Sequence, residues 1–450
     1  ALSRASYPEA LLADIEAIAT GTLAHTPAVL TPSRITDDAS SLYATRLLAS
    51  TPDAPESAIR AVVENPGFNP DAKDNNRLTP FYLAAAYGHI PLASVLLERG
   101  ANYLVKCLNQ YSSLYIAVEN NHLPFLRWFL GALSVEQRIE LLVVQDQHRN
   151  TALHKALSRP ELLKLLLEGL SLESRVQLLE MKSQYGNTVL HLAASRPESL
   201  KFLLEGLSIE QRVELLTTLQ RKDGASVLHF ATSNPESLKL LLEGLSIEQR
   251  VELLAVQGQV GNSVLHEALS QPQSLKLLLD GLSEEGRVQL LEMKNQYGNT
   301  VLHLAASHSE PLKLLLEGLS EEKRFELLRA KNQHGYSVLY RALSCYPESL
   351  GVILEMLCET TQRQVLEDLG CLRGNVFLGK PEILDEINFA LKFSVSVSNT
   401  SVSCLDTSSQ AATSSGNQNT FFDSGSKRRI DAQRNTSPEE TEERACSLKK

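Results

Sequence analysis

Five histidines recur at almost one interval: His154, His191, His229, His266 and His303, separated by 37, 38, 37 and 37 residues. Imidazole suits both proton transfer and zinc binding near neutral pH, so a histidine row is the first place to look for chemistry. The spacing speaks against it. One histidine per repeated segment sets successive rings roughly 10 Å apart, the separation of packed helices. A shared metal would need bonds of about 2 Å from each ring. Each ring therefore reads as a local brace. Tyr340 fills the next slot, and Tyr115, Tyr82 and Tyr43 fill the earlier ones.

An arginine row runs parallel: Arg138, Arg175, Arg212, Arg250, Arg287 and Arg324, each in an L-S-x-E-x-R phrase. Glu168, Glu205, Glu243, Asp280 and Glu317 stand seven residues before their arginines. A basic ladder could take an acidic partner. The matching number of acids favours a stacked ladder of ion pairs between neighbouring units, each worth little when exposed.

No catalytic constellation accompanies these rows. There is no Gly-rich phosphate loop, G-x-S-x-G, H-E-x-x-H or C-x-x-C. Catalytic, cofactor and metal residues are expected to be none, and the protein is not expected to be an enzyme. The six cysteines are dispersed, which fits free thiols. A formal net charge of −10 argues against nucleic acid as a partner. No apolar run reaches the roughly 18 residues of a membrane span. Asp14 and Glu16 interrupt the N-terminal apolar run, so it does not read as a secretory leader.

A period of 33 to 39 residues indicates a helical solenoid. Residues 188–225 show how one unit is built. Thr188 caps a short helix over 189–195. Pro197 starts a second helix near 198–206, with Leu200, Leu203, Leu204 and Leu207 at helical spacing. Ser208, with Gln211 three residues on, opens a third helix near 209–217. Gly224 closes the unit in a turn.

Residues 76–102, NRLTPFYLAAAYGHIPLASVLLERGAN, carry Thr79-Pro80, Ala84-Ala85, Gly88-His89, Leu96-Leu97 and Gly100-Ala101. This resembles the ankyrin-repeat family, with Phe81 and Tyr82 replacing the usual Leu-His. Later units open on Thr151, Thr188, Ser226, Ser263 and Thr300, keep Leu-His and Ala, and replace the usual finger with the L-S-x-E-x-R phrase. The units are similar to those of ankyrin proteins from intracellular bacteria. The resemblance implies an all-α, ankyrin-type solenoid with units of about 37 residues and three helices each. It places the histidine on the first helical turn, bonded near the opening Thr.

Four regions follow from composition and period: a capping helix and loop (1–40), the repeats (41–373), a capping helix (374–393) and a disordered Ser/Thr-rich tail with a terminal acidic block (394–450).

The residues that vary between units are the candidates for recognition. After the histidine stand Lys155, Leu192, Phe230, Glu267 and Leu304, and the turns bring Tyr185 and Tyr297. In ankyrin proteins such positions line the binding face, and aromatic anchors dominate interface energetics. The expected function is therefore a scaffold for a protein partner, acting as a monomer. Glu439, Glu440, Glu442 and Glu443, followed by Leu448, resemble the C-terminal export signal of type IV secretion substrates. That resemblance implies an effector delivered into a host cell's cytoplasm, with a cytoplasmic protein as the alternative. Two other readings stand: a ubiquitin-ligase adaptor, because residues 8–15 (PEALLADI) faintly resemble the start of an F-box, or an enzyme whose site lies in a cap.

Overall fold

The computed structural model describes residues 37–345 and 347–371. The N-terminal segment (1–36), the capping helix expected at 374–393 and the tail with its acidic block lie outside these residues. The described residues form 25 α-helices, two short 3-10 helices and no strand. They divide into two compact units at Gln296/Tyr297.

In the first unit, short first helices stack on one another: Asp38–Ala49, Pro80–Tyr87, Ser113–Glu119, Ala152–Ala156, Val189–Ala193, Val227–Ala231 and Val264–Glu267. Second helices stack alongside, including Leu123–Gly131, Pro160–Leu167, Pro197–Leu204, Pro235–Leu242 and Pro272–Leu279. Pro160, Pro197, Pro235 and Pro272 sit at N1, where the missing N–H costs no intrahelical bond. The leucines pointing between the layers, such as Leu200, Leu203, Leu238 and Leu241, are fully buried. Each contributes about 1.5–3 kcal/mol by leaving water.

The third helix enters only with the third repeat, at Val135–Leu142, and recurs at Leu172–Glu180, Ile209–Thr218, Ile247–Leu254 and Glu284–Leu291. The first two repeats have two helices each. Ser134, Ser208 and Ser246 cap their third helices in reciprocal capping boxes with Gln137, Gln211 and Gln249.

The inserted helix does not remove the hairpin turn. Gln220 and Ser226, and Gln257 and Ser263, form antiparallel bridges flanking their turns. Neighbouring turns are joined by backbone bonds, Gln147 N–H to Asn109 O (3.3 Å) and Gln184 N–H to His148 O (2.9 Å) among them. Gly186 holds φ +83° at its turn, and a Cβ there would lie 2.8 Å from the Lys222 backbone nitrogen.

The second unit repeats the pattern. Val301–Ala305, Ser309–Leu316 and Glu321–Arg329 are followed by Val338–Cys345, Pro347–Glu355 and Glu359–Cys371. The last of these packs against Val338–Cys345.

Candidate protein-interaction surface

Each histidine is held from both ends of its ring. His191 Nδ1 accepts from Thr188 N–H (3.3 Å) and lies 2.9 Å from the Thr188 hydroxyl, while Nε2 faces the Ala225 carbonyl of the next repeat at 3.3 Å. A backbone N–H can only donate and a carbonyl can only accept, so the ring is the neutral tautomer protonated at Nε2. His154 spans Thr151 to Asn187 O, His229 spans Ser226 to Asn262 O, and in the second unit His303 spans Thr300 to Tyr336 O. Nδ1 thus fills the acceptor role that Glu or Gln plays in a capping box, and Nε2–H stitches one repeat to the next. Burial depresses the basicity of His154, His191 and His229, that of His191 to about 4. Among the described residues no three His, Cys, Asp or Glu gather as metal ligands. Tyr115 occupies the same slot by other means. Its backbone N–H is capped by the Ser112 hydroxyl, and burial together with the nearby Asp146 carboxylate raises its phenol's pKa.

The arginine row corrects the expected ion-pair ladder. Arg212 Nη2 donates to the carbonyls of Leu240 (2.8 Å) and Glu243 (2.9 Å), at the C-terminus of the next repeat's second helix. Arg138 donates likewise to Glu168 O, Arg175 to Phe202 O and Arg250 to Leu277 O. These guanidinium groups satisfy carbonyls that a helix end leaves open and complement the negative end of its dipole. Among the described residues, Arg138, Arg175, Arg212 and Arg250 make no ion pair with the acids of the row. Sequence spacing shows side chains, and the carbonyl partners were invisible to it.

One residue beyond the buried histidine, the chain turns outward. Lys155 and Glu267 are exposed, and Leu192 and Phe230 are half-buried. Lys155 is not free. Its Nζ lies 2.7 Å from the Glu119 carboxylate of the preceding repeat and 6.0 Å from the Tyr115 ring centroid. Glu267 accepts from the Asn262 side chain at 3.3 Å. Phe230 meets His191 edge-on at 5.7 Å between centroids, and the Arg221 guanidinium lies 5.1 Å from its ring centre. In the second unit, Tyr297 and Leu304 are half-buried.

Tyr185 is the most exposed large hydrophobic residue in the described chain, at 63%. With Gln184, Arg221, Lys222 and Asp223 it lines an open cleft of about 500 Å³ between two adjacent turns. Arg221 joins this cleft to Phe230, which brings Tyr185 and Phe230 into one surface. The sequence singles out both aromatics but not Arg221 as their link, because only the fold brings the two neighbouring turns together. The arrangement offers aromatic area, guanidinium and ammonium groups. It has no nucleophile paired with a base.

Residues 48–141 and 135–214 match the family described as ankyrin repeats (3 copies). No curated protein matches the sequence. The chain is similar to a crystal structure of the ankyrin repeat domain of Bcl-3, "a unique member of the IkappaB protein family". Identity is 24%, over 51% of this chain and 92% of that one, with a TM-score of 0.38. It is also similar to a chain in the complex of a predatory endopeptidase from Bdellovibrio bacteriovorus with an immunity protein. There identity is 21%, over 45% of this chain and 98% of that one, with a TM-score of 0.36.

Proposed function

We propose that this chain, whose residues 48–214 match ankyrin repeats, is an interaction scaffold that grips a protein partner along the row Lys155, Leu192, Phe230 and Glu267, with Tyr185 as the protruding anchor. Tyr297 and Leu304 hold the same positions in the second unit. One observation carries the reading: the histidine is constant and buried, while its neighbour changes from Lys to Leu to Phe to Glu and faces outward. A residue that only held the stack would be constant too, because every repeat meets the same neighbours. Leu192 and Phe230 form an apolar centre between charges of opposite sign, which suits one docking orientation.

The test uses the full chain as bait, compared with Tyr185→Ala/Leu192→Ala/Phe230→Ala. A partner retained by the native chain and lost by the variant, with folding preserved, supports the row. Equal capture by both would refute it.

The destination belongs to the same proposal. Glu439, Glu440, Glu442, Glu443 and Leu448 act as a type IV export signal that delivers the scaffold into a host cell. The block of four glutamates followed by Leu448 supports this. A translocation reporter fused to the chain tests it. Replacing the four glutamates with Ala weakens delivery if the reading holds, and unchanged delivery would refute it.

A further inference from the structure

A second surface lies on the third helices. Their N1 residues are Val135, Leu172, Ile209 and Ile247 in four consecutive repeats. Val135, Ile209 and Ile247 are 40%, 37% and 43% exposed. Local helix physics does not ask for aliphatic residues here. A carboxylate at the first turn complements the helix dipole, and the next two repeats carry Glu284 and Glu321 at this position. Four aliphatic choices in a row are therefore a surface property. Ile209 reaches over Gly244 of the next repeat, its Cδ1 lying 3.2 Å from where a Cβ there would be. One turn further along each helix, Ile139, Val176 and Val213 are half-buried and Val251 is buried, which continues the ridge inward.

Two acidic rows flank the ridge. Glu136, Glu173, Glu210 and Glu248 follow the aliphatic residues directly, and Glu168, Glu205 and Glu243 end the adjoining second helices. All seven are exposed. The arginines that could have neutralised them are spent on carbonyls instead. Lys164, Lys201 and Lys239 stand one turn before the second row without forming ion pairs with it. The Glu136, Glu210 and Glu248 carboxylates are held below their ordinary range by their own backbone N–H groups and by the capping serines.

We propose that this ridge, residues 134–254, binds a basic amphipathic helix of a protein partner, seating one apolar side chain on each repeat. The pitch matches. Repeats lie roughly 10 Å apart, and an α-helix rises 1.5 Å per residue, so about seven residues span one repeat. A helix of about 22 residues, with apolar residues at its first, eighth, fifteenth and twenty-second positions and Lys or Arg on its flanks, meets all four ridge residues. A second copy of this chain fits poorly, since it would oppose acidic rows to acidic rows. The surface is separate from the Tyr185–Phe230 face and stands or falls independently.

The probe is a labelled synthetic helical peptide of about 22 residues with four leucines, one every seventh residue, flanked by lysines and arginines, titrated with the full chain and read by fluorescence anisotropy. The control is a scrambled peptide of the same composition. Ile209→Glu/Ile247→Glu copies what the chain itself carries at 284 and 321, so folding is retained, and a melting curve verifies it. The proposal expects saturable binding that weakens more than about tenfold in this variant and with the scrambled peptide. It also expects binding to weaken severalfold in Glu136→Gln/Glu173→Gln/Glu210→Gln/Glu248→Gln. Equal binding of both peptides, or unchanged affinity in Ile209→Glu/Ile247→Glu, would overturn it. So would self-association in sedimentation that this variant abolishes, since a second chain would then occupy the ridge.

Discussion

Buried polar atoms at equivalent positions meet different fates, and that sets sharp expectations for single residues. The Ser199 hydroxyl donates to the Leu157 carbonyl of the preceding repeat at 2.6 Å. The hydroxyls of Ser237 and Ser274, at the same position one and two repeats on, are buried without a partner. Ser199→Ala should therefore cost about 1 kcal/mol, because a bond is lost and a carbonyl is stranded. Ser237→Ala should be neutral or stabilising by up to about 0.5–1 kcal/mol, since Ala is also the better helix former. Urea denaturation of both variants checks the pair; equal losses would mean that the orphaned hydroxyl is satisfied in solution. His229→Ala removes both ends of a brace and should cost about 2–3 kcal/mol. The braces also predict a pH dependence. His191 is neutral when folded and titrates at about 4, against about 6.5 in an unfolded chain. Between those values only the unfolded chain takes up the proton. The ring's contribution is thus whole above about pH 6.5 and is lost as pH falls toward 4, by about 3 kcal/mol for His191. Stability that rises as pH drops from 6.5 to 4.5 would contradict the assigned tautomer. The brace was legible in the sequence as far as its Thr or Ser partner, three residues away. Its second bond, to a carbonyl over thirty residues on, needed the stack to be built.

At the scale of the element, helices announced themselves and the joints between them did not. Expected helices near 189–195, 198–206 and 209–217 stand at Val189–Ala193, Pro197–Leu204 and Ile209–Thr218. Thr188, Pro197 and Ser208 fixed their starts, because N-terminal signals are side chains. The hairpin turns survived the inserted helix, which the altered finger sequence did not reveal; backbone bonds between neighbouring turns hold them. Gly186→Ala tests that joint. It forces a side chain into φ +83° and against the Lys222 backbone, and should cost more than about 1 kcal/mol. The arginine caps predict that Arg212→Gln loses about 1–2 kcal/mol and that most of the loss persists at high salt, because the two carbonyl bonds are short-range and only the helix-dipole part is screened. A loss that vanishes in high salt would restore the ion-pair ladder. Thermal melts at two ionic strengths decide between them.

For the whole molecule, the two faces of the repeats carry different chemistry on one frame. Tyr185, Arg221 and Lys222 gather at the turns with Phe230 of the adjoining first helix, while the third helices present aliphatic residues between acidic rows. Stability in a stack of repeats is a sum of unit and neighbour terms, so a surface residue can change freely where a brace cannot. Deleting 394–450 should leave the unfolding transition nearly unchanged, because that segment lacks apolar periodicity; a large fall in melting temperature would show that it docks. The central claim is that constant residues hold the frame and their variable neighbours bind. It is tested most directly on a captured partner, by measuring its dissociation constant and the melting temperature for His229→Ala and for Tyr185→Ala/Phe230→Ala. The account predicts that His229→Ala lowers the melting temperature and leaves affinity within about twofold. The aromatic variant should weaken binding more than about tenfold with a much smaller change in melting. Affinity lost with His229→Ala at unchanged melting temperature, and kept without the two aromatics, would contradict it.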